Sequence, residues 1–274
     1  MEILFFCPRW GSETVAWPEF ARRVREAGYD GVEVALPRGD RAGSEAILDA
    51  LTLQGLKWYS QNGDEGGPEV SRAEAEFSDN LEWQLAFEVK PVGINCQTGR
   101  DYWTAEHNLA LIRKASSRAH QAKVPLFHET HRAKFSYAAT VAAHYLRQEP
   151  ELKITADFSH WCNVSESYLE GQEPEVALAI ARTGHLHARV GHTEGPQVSD
   201  PRAPEWAQAL ATHDAWWDRI VAARRADKTK RFTVTPEFGP PPYLPALPYT
   251  GQPVGSQWDI NLWMMKRLRE RWKT

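Results

Sequence analysis

Cysteine is scarce in this chain: its 274 residues include three, Cys7, Cys96 and Cys162, far apart and never in C-x-x-C spacing. An odd, scattered set excludes a disulfide framework and a thiolate zinc knuckle, and it fits reduced thiols in the cytoplasm. Long apolar runs are missing too. No stretch reaches the roughly 18 apolar residues of a spanning helix, and the opening Met1-Glu-Ile-Leu-Phe-Phe-Cys-Pro8 has a brief apolar run without a cationic start. Neither membrane insertion nor secretion is expected. Positive charge is not in excess: Lys and Arg number 32 against 36 Asp and Glu, a net charge of −4. Such a balance offers no basic footprint for neutralising phosphates, so a small or neutral partner is expected rather than nucleic acid. Short repeats, low-complexity tails and interdomain linkers are absent as well, and one domain is the economical reading.

What the chain does have is alternation. Apolar, β-rich runs exchange with helix-period segments from end to end, eight of each. Strands are expected over 3–7, 31–36, 57–61, 92–96, 125–129, 153–157, 185–190 and 232–237. Helices are expected from Trp17-Pro18 to Ala27 and over 42–54, 72–88, 104–121, 136–148, 205–225 and 256–272, with Thr104 as an N-cap. The stretch 160–174 reads as irregular, with a short helical turn before a crossover to Arg182. Two loops stand out, the glycine-rich 62–68 and the proline-rich 240–253, which is too long for a simple connection. Strands alternating with helical crossovers imply a parallel sheet, and eight such units close as an α/β (β/α)8 TIM barrel spanning 1–274.

In such barrels chemistry gathers at the C-terminal ends of the strands. Four of those ends carry acids or histidines: Phe127-His128-Glu129-Thr130-His131, Thr155-Ala-Asp157-Phe-Ser-His160, Gly184-His185-Leu186-His187 and Thr233-Val-Thr-Pro236-Glu237. A strand sends alternate side chains to one face, so Thr155 and Asp157 share a direction, and so do His185 and His187. Two glutamates, an aspartate and a histidine, each on its own strand end, can make one metal site. Carboxylate and imidazole donors without sulfur suit one divalent ion, Mn, Co or Mg before Zn. A lone acid at such a position is more often a barrel-interior residue satisfied by a neighbour; four on consecutive strands shift the balance to a site.

These residues resemble the xylose isomerase-like barrels, also called sugar phosphate isomerase/epimerases, whose members include ketose 3-epimerases and, more remotely, endonuclease IV. The resemblance runs from Gly28-Tyr-Asp-Gly31-Val-Glu33 to Glu237 and is most specific at Glu129, Asp157-x-x-His160, Gly184-His-x-His187 and Glu237. It implies Glu129, Asp157, His187 and Glu237 as metal ligands, with His160 as a substrate contact. It also implies a metal-dependent sugar or polyol isomerase or epimerase that abstracts a proton beside a carbonyl through a metal-stabilised enediolate. Glu129 and Glu237 would be the catalytic bases. A lyase or dehydratase on a keto-sugar or keto-glycoside would share the first step and is the alternative.

Further substrate contacts are expected at Arg189, Trp161, Gln61 and His185. Arg189 would sit at the mouth, where a rim salt bridge is the bland reading. Trp161, like Trp103, sits in a loop placed to stack on a sugar face, loop anchoring being the bland reading. His185 points as His187 does but one layer deeper. His131, Arg132 and His192 are rim candidates, Glu33 is expected in the interior beside the ligands, and Asn95 ends the fourth strand. The remaining tryptophans, of twelve in all, are assigned to helices packing on the barrel or to a subunit contact, which leaves a homo-oligomer open. An endonuclease IV-like phosphodiesterase needs further histidines on strands three and four. Here those strands end Tyr59-Ser-Gln61 and Asn95-Cys96-Gln97. A non-catalytic sugar-binding barrel would not need both glutamates. The glycines at 63, 66 and 67 do not follow a phosphate-cradling pattern.

Overall fold

The computed structural model describes residues 1–65 and 67–273; Gly66, part of the glycine-rich loop, lies outside the described residues. Eight parallel strands follow one another in chain order around a closed barrel. They are β1 (Glu2–Pro8), β2 (Gly31–Val34), β3 (Lys57–Asn62), β4 (Ile94–Cys96), β5 (Leu126–Glu129), β6 (Ile154–Ala156), β7 (Thr183–His187) and β8 (Arg231–Thr235). β8 closes on β1 with Ile3 opposite Phe232 and Leu4 opposite Thr233. The outer ring comprises α1 (Trp17–Ala27), α2 (Arg41–Leu53), α3 (Val70–Leu85), α4 (Ala105–Gln121), α5 (Ala139–Gln148), α6 (Phe158–Val164), α7 (Glu173–Arg182), α8 (Ala207–Ala226) and α9 (Gln257–Arg271). The expected (β/α)8 barrel is therefore present. No helix among the described residues is long and apolar enough to cross a membrane.

Period-two alternation sorts each strand's side chains into two cores. Phe5, Cys7, Val32, Trp58, Ile154, Leu186, Phe232 and Val234 face outward into the layer beneath the helices. Leu4, Phe6 and Tyr59 form a second cluster, with Val92 and Phe127 packed against it. This cluster fills the barrel floor, because Tyr59 of β3 stacks on His185 of β7 with ring centroids 4.1 Å apart, a contact across the interior. Glycine makes room for these rings: a Cβ at Gly184 would fall 2.0 Å from the Phe127 ring, and one at Gly93 2.7 Å from Tyr59. With the floor occupied by aromatics, the carboxylates gather in the layer above it.

Helix starts follow local chemistry. Asp40 caps α2 by accepting from Gly43 N at 2.8 Å, and Thr104 caps α4 as expected, accepting from His107 N at 3.4 Å. The strand ends differ from expectation at the top of the barrel. β8 stops at Thr235 because Pro236 has no N–H to extend the ladder, which leaves Glu237 on irregular chain above it. β7 ends at His187 rather than 190, and β6 at Ala156. The stretch after Asp157 carries the expected short helical turn, starting two residues earlier: α6 begins at Phe158, with Asp157 as its cap accepting from Ser159 N at 3.2 Å, and irregular chain over 165–172 leads to α7 and its end at Arg182.

Candidate metal centre

Glu129, Asp157, His187 and Glu237 come from the tops of β5, β6, β7 and β8, and one donor atom from each lies within 4.8 Å of the other three. All four side chains are buried. His187 is central: its Nδ1 is 3.0 Å from Glu237 Oε2 and 3.4 Å from Glu129 Oε1. Neither approach has hydrogen-bond geometry, and both Glu129 Oε1 and His187 Nδ1 lack a hydrogen-bond partner among the described residues. Buried polar atoms are ordinarily paired, so two unpaired acceptor-capable atoms facing each other fit a cation held between them. The donor set of three carboxylates and one imidazole fits a divalent ion of intermediate hardness.

The surrounding groups hold these donors in place. His187 Nε2 bonds Glu33 Oε1 at 3.0 Å, and Glu33 also accepts from Thr235 Oγ1 and from Gln61 Nε2 at 3.4 Å. With Nε2–H committed to Glu33, Nδ1 presents its lone pair to the centre when the ring is neutral. Asn95 Nδ2 donates to Glu129 Oε2 at 2.9 Å, leaving Oε1 as the free oxygen. Burial alone would raise the Glu33 carboxyl, but the His187 and His185 rings overcome it and hold it well below the usual carboxylate range. Burial likewise opposes charge on His187, and Glu237, Glu33 and Glu129 outweigh it, lifting the imidazole well above its ordinary value. Asp157 is pushed up by burial, against the pull of Arg189 and with the push of Glu237 and Glu129.

Arg189, expected at the mouth, stands beside the centre and is buried there. It is 2% exposed, with Nη2 2.5 Å from Asp157 Oδ2, 2.7 Å from His160 Nε2 and 3.6 Å from Glu237 Oε2. A guanidinium only donates, so His160 Nε2 is the acceptor in that contact. His160 is fully buried behind Arg189 and the His131 ring, whose centroid is 4.0 Å away, and does not line the cavity.

A cavity of about 170 Å3 opens above the centre. Glu129, Glu237, Arg189, His131 and Gln61 line it, as do Trp10, Gln97 and Tyr243, which the sequence reading did not single out. Tyr243 belongs to the proline-rich 240–253 loop and lies over Arg189 at 4.8 Å; the unusual length of that loop was the available signal. Trp161 requires correction. It is fully buried, stacks on Phe158 at 4.7 Å and donates Nε1–H to Ser136 O at 2.8 Å, so it anchors α6 in the core rather than facing a sugar. Trp103 is buried beneath α3 and α4 in the same sense. His185 sits one layer down, stacked on Tyr59 and within 3.4 Å of Glu33 Oε2, and lines no part of the cavity. Arg132 packs its guanidinium 5.0 Å from the Tyr243 ring. His192 lies against Trp206 at 4.8 Å, away from the centre.

No protein-family model and no curated protein matches the sequence. Solved structures match along the whole chain. The probable 3-DHS dehydratase AsbF of Bacillus anthracis, involved in petrobactin synthesis, is 16% identical over 99% of this chain and 100% of its own, with a TM-score of 0.63. D-allulose 3-epimerase from Methylomonas sp., solved with D-allulose, is 14% identical over 99% and 98%, TM-score 0.63. Endonuclease IV of Thermus thermophilus is 13% identical over 98% of each chain, TM-score 0.60. Proteins described as xylose isomerase-like also match. This chain therefore has the (β/α)8 fold of the xylose isomerase-like TIM barrels.

Proposed function

We propose that the protein is a divalent-metal-dependent isomerase or epimerase of a sugar or polyol. The observation that carries this reading is the convergence of Glu129, Asp157, His187 and Glu237, two of them with unpaired buried donor atoms, beneath a cavity that Glu129 and Glu237 both line. An epimerase and a dehydratase share the fold, which adds support. A bound ion would polarise a substrate carbonyl and its neighbouring hydroxyl, lowering the cost of removing the proton between them.

The chain's own groups do the rest. Glu129 ends β5 and Glu237 lies just beyond β8, three strands apart in the ring, and both line the cavity; in this reading each carboxylate serves one face of the substrate. Epimerisation needs two such bases, one to take a proton from one face and one to return a proton to the other. Asn95 donates to Glu129 Oε2 and so fixes the plane of that carboxylate, with Oε1 turned to the centre. Arg189 keeps Asp157 oriented and places positive charge beside oxygen atoms that gain electron density. Elimination from a keto-sugar or keto-glycoside is the second reading; it shares the proton abstraction beside the carbonyl, and the likeness to a probable dehydratase supports it.

The test is solvent deuterium uptake, followed by mass spectrometry over ketoses, keto-glycosides and inosose-type polyols with manganese present. Label beside the carbonyl is expected, and Glu129→Gln and Glu237→Gln should each slow exchange by about 10²–10⁴-fold. Loss of a neutral fragment would select elimination. Neither uptake nor fragment loss with any of these substrates and manganese-loaded protein would refute both readings.

A further inference from the structure

A second, larger cleft of about 490 Å3 lies on the β2–β4 side of the barrel mouth. It adjoins the chamber above the centre through two shared side chains, Gln61 and Gln97, and through Asn95, which lines the cleft and bonds Glu129. At about 170 Å3 the chamber alone is small for its task, since small-molecule sites commonly occupy roughly 300–1,000 Å3. Only with the cleft does the space reach that range.

The cleft has a consistent chemistry. Five carboxamides line it, from Gln61, Asn62, Asn80, Asn95 and Gln97. An amide offers both donors and an acceptor, as a hydroxyl both donates and accepts, so this lining suits a neutral polyhydroxylated group. The charged side chains do not suit an anion. Arg38 is paired with Asp79 at 3.0 Å, Asp64 is paired with Arg100, and Glu65 and Glu76 add negative charge to the wall.

We propose that the substrate carries a second, neutral hydroxylated ring beyond the one that reacts, as in a ketose glycoside or disaccharide, and that this amide-lined cleft holds it. The proposal rests on the sugar-binding reading above and narrows its substrate class.

Gly63 gives a clean test. It lines the cleft and not the chamber, and a Cβ there would meet only Gln97 Cβ, at 3.7 Å. The Cβ of Gly63→Leu is therefore accommodated, and the larger side chain takes up space at the cleft wall. Calorimetric titration of the full, manganese-loaded chain with lactulose, turanose and isomaltulose, against fructose, reads the outcome. The best disaccharide should bind at least about tenfold more tightly than fructose, and Gly63→Leu should erase that margin while fructose and manganese affinities stay within about twofold. Glu76→Trp, entering from α3, should do the same and serves if Gly63→Leu does not fold. Equal affinities, or a margin that survives in both folded variants, overturn the cleft assignment and leave the sugar reading intact. Manganese uptake with no binding of any sugar overturns the sugar reading too.

Discussion

Glu33 accepts from His187 Nε2 at 3.0 Å and from the Thr235 hydroxyl, and so decides which imidazole nitrogen faces Glu129 and Glu237. Glu33→Gln keeps the shape but removes the charge, and its NH2 can turn toward Nε2 and select the other tautomer. Partners of this kind typically contribute 10–100-fold to metal affinity, so manganese binding by titration calorimetry should weaken by about that factor with the fold retained. Unchanged affinity would remove Glu33 from the support of the centre. That Glu129, Asp157, His187 and Glu237 converge was legible in the sequence, because Glu129 and His187 end strands and alternation fixes the face of each. Trp161 was not. Stacking on a sugar and packing in a core use the same residue type, and the outcome turned on α6 starting directly after Asp157, which rotates Trp161 inward. Arg189 stands at the mouth as read, but its burial was not legible, since Tyr243, which covers it, is remote in sequence and arrives on the proline-rich loop. That burial matters, since breaking a buried ion pair such as Arg189–Asp157 by removing one partner costs about 3–5 kcal/mol.

At the level of elements, the eight repeating units could be read from hydrophobic periodicity, whereas the upper ends of the strands could not. There the ladder stops for local reasons, as at Pro236, and side chains tie the loops instead. α8 supplies one such tie. His213 accepts from Gly191 N through Nε2 at 3.2 Å and donates Nδ1–H to Ala209 O at 2.9 Å, pinning the chain just beyond β7. Protonation of Nε2 would set two donors against each other, and burial pushes this imidazole down to about 4. The sign follows: above the unfolded value of about 6.5 both states are neutral, and as pH falls the unfolded chain takes up a proton that the folded one refuses. Stability contributed by His213 is thus present above about pH 6.5 and lost toward pH 4, by up to about 3 kcal/mol. His213→Gln keeps an acceptor for Gly191 but does not titrate. Urea unfolding between pH 7 and pH 4.5 should therefore show a shallower decline in the variant; parallel declines would show that His213 titrates freely.

For the whole molecule, closing the barrel brings the carboxyls of Glu33, Glu129, Asp157 and Glu237 into one buried space with Arg189 and His187 as the cationic partners. Acid groups from β2, β5, β6 and β8 repel one another at the top of the ring, and a divalent ion held as proposed would relieve that repulsion at the point where four strands meet. Metal binding and barrel stability would then be linked. An ion held only by the folded state stabilises it by about 3 kcal/mol at a hundredfold excess over Kd. At roughly 2–4 °C per kcal/mol for chains of this order, manganese should raise the melting temperature by about 5–10 °C, and exhaustive chelation should reverse the shift. Cobalt should act similarly, and magnesium less at equal concentration, because one of the four donors is an imidazole nitrogen, which favours the softer ions. His187→Gln should abolish the manganese shift without lowering the metal-free melting temperature by as much. Were scanning fluorimetry to show no response to manganese, cobalt or magnesium in the chelator-stripped protein, the four converging side chains would have to be an internally compensated polar cluster, and the proposed chemistry would lose its foundation.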